Sequence, residues 1–292
     1  MRLIYVTGSA RSGLTLLSDV FSNHRSLGWM SQYYNRFELG PLAELRRLYD
    51  LPLIGDYLRV RKSRVRLGGR IVLPYPSEPL AVFGRRHKVT WRTWNDPISD
   101  ADAARVRDCF EAFCRASKVE TVLASMVPPM SMANMLRVFP DMTIFHFIRD
   151  GRAAAHSMAT KPPHPDPKSE CLDERVPAEW LDRWRQGSQS FFGYAIVHWK
   201  LQLAQIWDSA EVCGARLHEV HYEDLVDNPV EFIREFCKIA DIESDPLVSE
   251  YALNHMSPNN NYKWKQAYSE QEVAEADSLI WEERYRQCLE RS

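Results

Sequence analysis

The sequence has no apolar run long enough to cross a membrane, which argues against a membrane-spanning protein. A helical span needs about 20 consecutive apolar residues, and no window of this 292-residue chain approaches that composition. The chain begins directly with a predicted strand, without the charged and then apolar leader of a secreted protein. We therefore expect a cytoplasmic protein without a membrane partner.

The sequence also lacks a cysteine pattern and an excess of positive charge. Its six cysteines show no CxxC spacing, and neither they nor its nine histidines form a cluster typical of metal ligands. We expect reduced, packed thiols and no metal. A formal net charge of −2 argues against bulk binding of nucleic acid. Any functional basic patch must therefore be local.

The first 22 residues carry the clearest functional pattern. Residues 3–6 are apolar throughout, which predicts a strand buried on both faces. Residues 8–13 (GSARSG) predict a tight turn, and a helix begins near Thr15 with its free N–H groups directed at that turn. Phosphate or sulfate is the natural ligand of this arrangement. The alternative is an ordinary strand-turn-helix unit with a solvent-facing arginine.

The turn differs from a nucleoside-triphosphate loop at one position. Gly8 and Gly13 have the spacing of G-x-x-x-x-G-K-[ST], and Thr15 supplies the hydroxyl, but Leu14 replaces the lysine. That lysine contacts the β- and γ-phosphates in metal-assisted triphosphate chemistry, which is therefore hard to support here. Positive charge comes instead from Arg11. We expect the loop to bind the 5′-phosphate of a nucleotide and the group attached to it.

Strand and helix patterns alternate along the whole chain. Predicted strands lie at residues 3–6, 120–124, 143–148 and 216–222, with helices between them. This order predicts an α/β three-layer sandwich with a central parallel sheet. Ligands then bind at the carboxyl ends of the strands, where the turn and Arg149 emerge. We expect one domain over residues 1–292, with a substrate-side insertion at about 38–100 and a lid-like, proline-rich loop at about 161–178.

The predicted insertion is locally basic. Residues 59–70, here called the basic run, contain six cations and no acid, and residues 85–88 are a second cationic cluster. A charge run is usually a solvated face of the protein. The alternative is a surface for an anionic substrate or partner.

Together these segments resemble the sulfotransferases that use 3′-phosphoadenosine 5′-phosphosulfate. GSARSGLTLL resembles the family's 5′-phosphosulfate loop. IFHFIRDGRAAAHS resembles its 3′-phosphate element, in which Arg149 is followed by Ser157 eight residues later. The stretch VHYEDLVDNPVEFIREFCKIADI, which contains Tyr222, resembles the strand-helix unit near the family's carboxyl end. Residues 263–265 (KWK) look like the family's late 3′-phosphate loop.

The resemblance implies a P-loop NTPase-like sulfotransferase fold and a mechanism without a metal. An acceptor hydroxyl or amine attacks the sulfuryl group in line, and adenosine 3′,5′-bisphosphate leaves. Arg11 then stabilises charge on the leaving phosphate and sulfuryl oxygens. The acceptor is expected to be a small molecule or glycan-like, and the basic insertion favours an anionic one. The implied donor-binding residues are Gly8, Arg11, Ser12, Gly13, Leu14, Thr15, Leu16, Arg149, Ser157, Tyr222, Lys263, Trp264 and Lys265.

The acceptor side departs from the family pattern. Leu14 stands where many members have threonine, and residues 31–34 (SQYY) stand where many have a glutamate general base. Glu38 and His87 are the two alternatives for that base. Two other functions remain open: a catalytically silent nucleotide-binding protein of the same fold, which the missing base favours, and a nucleotide-dependent kinase.

Overall fold

A five-stranded parallel sheet forms the centre of the protein. The computed structural model describes residues 1–37, 44–62, 65–79, 96–127, 131–160, 176–256 and 259–289. The strands of these residues are β1 Arg2–Thr7, β2 Leu27–Gly28, β3 Arg66–Leu67, β4 Arg70–Ile71, β5 Thr121–Ser125, β6 Thr143–Ile148 and β7 Leu217–His221. The sheet has the order β2-β5-β1-β6-β7, and β3 and β4 form a separate hairpin.

The predicted α/β class is confirmed. The four predicted strands are β1, β5, β6 and β7, and β1 occupies the middle of the sheet. It pairs in parallel with β5 on one side, where Arg2 is opposite Thr121, and with β6 on the other, where Ile4 is opposite Thr143. Strand β2 was not predicted, because two residues are too few to show a strand period.

Helices flank the sheet and alternate with its strands. In the described residues they are α1 Leu14–Phe21, α2 Gln32–Phe37, α3 Gly55–Arg59, α4 Asp100–Ser117, α5 Met132–Val138, α6 Gly151–Ala159, α7 Ala178–Gln186, α8 Phe191–Trp207, α9 Ala210–Cys213, α10 Tyr222–Asp227, α11 Pro229–Ile239, α12 Pro246–His255, α13 Trp264–Ala267, α14 Glu270–Ser278 and α15 Glu283–Gln287. Short 3₁₀ turns cover Glu44–Asp50 and Gly214–Arg216. None of the helices in this part of the chain is long and apolar enough to cross a membrane.

Alternating side chains of the strands build a core on each face of the sheet. Leu3 and Tyr5 of β1 pack with α4 and α5 on one face. Ile4 and Val6 pack with α1, α11 and α12 on the other. Both faces of the strand are therefore buried, which explains why its sequence is apolar throughout instead of alternating. The result is the predicted three-layer sandwich.

The sequence pattern predicts Asp100 as the cap of α4 and one acidic helix over residues 269–290, and both predictions were wrong. The cap of α4 is Ser99, whose hydroxyl accepts a hydrogen bond from the Asp102 N–H at 3.1 Å. The carboxyl-terminal acidic segment contains two helices, α14 and α15. Leu279 and Ile280 are buried between them, and this burial turns the chain. Of the predicted lid-like loop, residues 161–175 lie outside the described residues.

Two cations of the basic run are buried inside the protein. Lys62 Nζ donates to Asn23 Oδ1 and to the Arg59 carbonyl, both at 2.9 Å, and lies 3.8 Å from Asp19 Oδ1. Arg59 donates to the Tyr49 carbonyl at 3.1 Å. These bonds fasten α3 to the end of α1. At these two positions the cations serve the packing of the insertion, because neither side chain is accessible to an external anion.

Replacing Lys62 by methionine should remove part of the pH dependence of stability. Burial lowers the pKa of Lys62 from 10.5 to about 7, so the unfolded chain holds a proton that the folded protein has released. Between these pH values the free energy of unfolding rises with pH, by up to about 1.4 kcal/mol per pH unit. The variant should lack this rise. Urea unfolding at several pH values measures it, and equal slopes in parent and variant would contradict the prediction.

Candidate functional site

The loop between β1 and α1 has the backbone geometry of an anion-binding turn. Arg11 and Gly13 both lie in the left-handed region, with φ of 68° and 103°. Such a turn directs successive backbone N–H groups to one side, and Gly13 is also the N-cap of α1, whose first N–H groups have no helical partner. The Ala10 N–H is already used, since it donates to Gln202 Oε1 of α8 at 2.7 Å. The loop therefore has a fixed shape before any anion binds.

Close packing behind the loop explains its small residues. A Cβ on Gly8 would lie 2.3 Å from the Phe147 carbonyl oxygen of β6, which is backbone and cannot move aside. The hydroxyls of Ser9 and Ser12 are buried and have no hydrogen-bond partner among the described residues. Buried hydroxyls without partners are costly in an isolated protein. They fit a loop that is completed by an anionic ligand.

The predicted 5′ and 3′ elements meet at this loop. The Arg11 Nε–H donates to Ser157 Oγ of α6 at 3.2 Å. Arg149 Nη1, at the end of β6, donates to the Arg11 carbonyl oxygen at 3.0 Å. The two hydrogen bonds join residues that are 146 and 138 positions apart in sequence. Arg11, Arg149 and Ser157 thus belong to one site.

Arg149 is held rigidly and remains a cation. Its Nε–H donates to Asn261 Oδ1 at 2.8 Å, and its guanidinium lies 4.1 Å from the centre of the Tyr222 ring. Burial lowers the pKa of Arg149 from its ordinary value, while Tyr222 and Glu223 oppose the shift. Arginine still stays protonated at neutral pH. The Nη2 amino group has no hydrogen bond within the described residues and can donate to a ligand.

The carboxylates near Arg149 do not neutralise it. Asp150 pairs with Arg152 at 2.8 Å, and Glu223 accepts from the Asp150 N–H and from the Asn261 amide. Burial raises the pKa of the Glu223 carboxyl, and its hydrogen bonds oppose that rise. Neither acid forms an ion pair with Arg149 in the described part of the chain. The simple structural explanation of this arginine, an ion pair with a neighbouring acid, therefore does not apply.

These residues line a cleft of about 510 Å³ at the carboxyl ends of the strands. Its wall includes the loop, the first turn of α1, the exposed side of α6 and the tail before α13. Cationic side chains come from three separate segments. The lining residues are Ala10, Arg11, Gly13, Leu14, Thr15, Leu16, Glu78, Val127, Arg149, Ala153, His156, Ser157, Thr160, Tyr222, Asn260 and Lys263.

Comparison with known proteins identifies the family. A model described as the Sulfotransferase family matches residues 84–246, more than half of the chain. The chain belongs to this family. The match begins after the anion-binding loop, which is recognised by its own geometry. A search of curated proteins found no match to this sequence.

Solved structures of sulfotransferases share the fold. Sulfotransferase STF9 from Mycobacterium avium is similar with a TM-score of 0.55 and 15% identity, over 96% of this chain and 75% of that one. Sulfotransferase STF1 from Mycobacterium tuberculosis H37Rv is similar with a TM-score of 0.51 and 13% identity, over 92% of this chain and 76% of that one. At such low identities the likeness shows the P-loop-like fold alone.

The predicted tail cluster of this sulfotransferase divides between the cleft and the core. Lys263 lines the cleft. Trp264 is buried, and the Arg152 guanidinium lies 4.4 Å from the centre of its indole. Lys265 lies over the Tyr262 ring at 4.8 Å and does not line the described cleft. Of the three, Lys263 is in position to contact an anion directly.

The predicted general bases, Glu38 and His87, lie outside the described residues. Three other site residues were not predicted: Gln202, which fixes the loop, Asn261, which orients Arg149, and Glu78, which lines the cleft. Asn261 ends a run of three asparagines, a signal of a turn that says nothing about its partner. No local pattern marks the other two. Among the described side chains, no group of three His, Cys, Asp or Glu could hold a metal ion.

Proposed function

We propose that this sulfotransferase moves a sulfuryl group from 3′-phosphoadenosine 5′-phosphosulfate to a hydroxyl or amine of a small-molecule or glycan-like acceptor. One observation carries the proposal. Two cationic positions, the loop with Arg11 and the pair Arg149–Ser157, line one cleft and are joined by hydrogen bonds. A nucleotide with anionic groups at both its 5′ and 3′ ends matches two such positions, whereas ATP has all its phosphates at the 5′ end.

The chain's own residues would divide the work between binding and charge stabilisation. The loop N–H groups, Arg11 and Thr15 would hold the 5′-phosphosulfate, and Arg149, Ser157 and Lys263 the 3′-phosphate. In transfer, a bond forms between the acceptor atom and sulfur, and the bond from sulfur to the bridging phosphate oxygen breaks. Its electron pair leaves on the 5′-phosphate. We expect that charge to develop beside Arg11 and the amino end of α1, and a fixed, partly buried donor set would stabilise it effectively.

The buried Leu14 supports this donor over a nucleoside triphosphate. Its side chain belongs to the core formed by α1 and α11, so the position normally used by the phosphate-loop lysine serves packing. A kinase would have to replace that lysine with another cation at the β- and γ-phosphates. The observed cations lie towards Arg149 instead. Their arrangement favours a sulfotransferase over a kinase.

Stabilisation by nucleotides tests the proposed donor. We expect adenosine 3′,5′-bisphosphate to raise the melting temperature, since a ligand at about 100 times its Kd adds about 2.7 kcal/mol to stability. ATP with magnesium should raise it much less. The measurement is a thermal shift at equal ligand concentrations, with adenosine 5′-monophosphate as control. A larger shift with ATP and magnesium would refute the proposal.

The silent-protein alternative predicts the same binding without transfer. It is tested by incubating the protein with 3′-phosphoadenosine 5′-phosphosulfate and a panel of phenols, alcohols, amines and sugars. An active enzyme forms a sulfated product and adenosine 3′,5′-bisphosphate in equal amounts. The charge of the acceptor remains a prediction, because the buried Arg59 and Lys62 of the basic run are not available to bind it.

A further inference from the structure

The cleft contains one acidic side chain in its described lining, that of Glu78. We propose that Glu78 is the general base that removes the proton of the acceptor, an inference that rests on the proposed sulfotransfer. Glu78 belongs to residues 72–79, here called the presenting segment, which follow the β3-β4 hairpin. Among the other residues of the described lining, His156 could also accept a proton. It lies on the side of Arg149 and Lys263, and burial together with their charges lowers its pKa.

Residues 31–34 hold the presenting segment in place. The Gln32 side chain donates to the Leu73 carbonyl at 3.0 Å and accepts from the Tyr75 N–H at 2.9 Å. The Gln32 backbone N–H donates to the Tyr75 carbonyl at 3.3 Å, and Tyr33 Oη donates to the Val72 carbonyl at 2.8 Å. The side-chain amide of Gln32 thus pairs with the backbone of the segment as a neighbouring strand would. A glutamate at this position could not donate the bond to Leu73.

The segment is also fixed next to Glu78 itself. The Ser77 N–H donates to the Met30 carbonyl at 2.9 Å, and Tyr49 Oη donates to the Pro74 carbonyl at 2.5 Å. Prolines at 76 and 79 restrict the backbone on both sides of Glu78. A base must be held at its working position to be effective. Residues 31–34, where the family pattern has its glutamate, instead form hydrogen bonds to the presenting segment, which carries Glu78.

The electrostatics of Glu78 suit a base. Burial raises the pKa of its carboxyl, and the nearby Arg11 opposes that rise. A carboxylate of raised pKa is a stronger proton acceptor while it remains ionised at neutral pH. Arg11 also belongs to the donor loop and lines the same cleft as Glu78, so the proposal places Glu78 on the sulfuryl side of the expected donor. In the part of the chain that the structure describes, the charged and titratable groups around Glu78 include Tyr5, Arg11, Arg149, His156, Tyr222 and Lys263.

The step balances without a further reactant. The acceptor's O–H or N–H proton passes to a Glu78 carboxylate oxygen, and the electron pair of that bond remains on the acceptor. The acceptor atom bonds to sulfur, and the bridging S–O bond breaks with its electrons on the 5′-phosphate. Glu78 then releases the proton to solvent. Water can take the acceptor's place, which gives a slow hydrolysis of the donor.

Hydrolysis of 3′-phosphoadenosine 5′-phosphosulfate tests the proposal without a known acceptor. In the parent, release of adenosine 3′,5′-bisphosphate should become faster as the pH rises through the pKa of Glu78. Glu78→Gln should hydrolyse about 100-fold more slowly and lack this pH dependence, since general bases contribute roughly that much or more. Glu78→Asp, which keeps a carboxylate, should recover the pH dependence. Glu231→Gln, on the exposed surface of α11, is the matched control.

Binding of adenosine 3′,5′-bisphosphate separates the two proposals. We expect Glu78→Gln to bind it as the parent does, because the proposal assigns the Glu78 carboxylate to the acceptor and not to the nucleotide. If the parent does not bind the bisphosphate, the proposed function is wrong. If the parent and Glu78→Gln both bind it and hydrolyse the donor at the same rate and with the same pH profile, the function stands and Glu78 is not the base. A parent that binds the donor and releases no bisphosphate also overturns the assignment.

Discussion

With Arg149 replaced by alanine, adenosine 3′,5′-bisphosphate should bind about 100-fold more weakly, whereas adenosine 5′-monophosphate should bind much as before. A hydrogen bond from a buried cation to a phosphate is worth about 1.5–3 kcal/mol, so the loss of one or two accounts for this factor. The 5′-monophosphate lacks the group that Arg149 is expected to contact. Titration calorimetry of both nucleotides against parent and variant measures the effect.

The decisive quantity is the dissociation constant of adenosine 5′-monophosphate divided by that of adenosine 3′,5′-bisphosphate. Arg149 also donates to the Arg11 carbonyl, so its removal could loosen the loop and weaken both nucleotides together. Such a loss leaves the ratio unchanged, whereas loss of a 3′-phosphate contact reduces it towards one. Ser157→Ala, which removes a neutral partner of Arg11, should reduce the ratio less. A variant of Arg149 with the parent's ratio would show that the 3′-phosphate lies elsewhere.

Local patterns in the sequence predicted four of the five strands of the central sheet and several of the residues that line the cleft. The apolar strands, the Gly8–Gly13 spacing and the sequence after β6 are features of neighbouring residues, and each was predicted without knowledge of the fold. The same is true of Arg149 and Ser157, because Arg149 directly follows β6 and Ser157 lies two helical turns later in α6, where its side chain can face the same end of the sheet. These features depend on the chain's own geometry over a few residues.

Other features depend on contacts between distant segments and left no local signal. Gln202 lies 192 residues from the loop N–H that it accepts from, and Asn261 lies 112 residues from Arg149. Buried lysines are rare, so the burial of Lys62 could not be expected from a run of cations. Glu78 follows a proline-rich turn and resembles any surface acid. Its place at the cleft depends on Gln32, more than 40 residues earlier.

Leucine at position 14 has a structural explanation, which the sequence did not supply. Its side chain is buried beneath the loop, and its carbonyl accepts a hydrogen bond from Ser125 Oγ at the end of β5 at 3.2 Å. The residue therefore ties the start of α1 to the central sheet. Burying a leucine side chain stabilises the folded protein by about 1.5–3 kcal/mol relative to leaving the same side chain exposed. The loop's position is fixed by packing below it and by hydrogen bonds around it.

Replacing Gly13 by alanine should be more damaging than its small size suggests. Gly13 has φ of 103°, and a Cβ there would lie 2.6 Å from Cδ2 of Tyr222 and 3.2 Å from Cε1 of Phe147. The variant would be destabilised both by backbone strain and by a clash with the Tyr222 ring, which supports Arg149. We expect a loss of about 3 kcal/mol in the free energy of unfolding, about 1 from the backbone and the rest from overpacking. Urea unfolding measures it.

Gly69→Ala separates the two contributions. Gly69 also has a positive φ, of 78°, but a Cβ there would meet no heavy atom within 4 Å, so this control should lose only the backbone part, about 1 kcal/mol. Gly13→Ala should also bind adenosine 3′,5′-bisphosphate at least 10-fold more weakly, since a displaced Tyr222 moves Arg149, whereas Gly69→Ala should bind normally. Equal losses of stability in the two variants, with normal binding in both, would mean that Tyr222 yields without moving Arg149. The contact between the loop and Tyr222 would then not be what couples the two ends of the site.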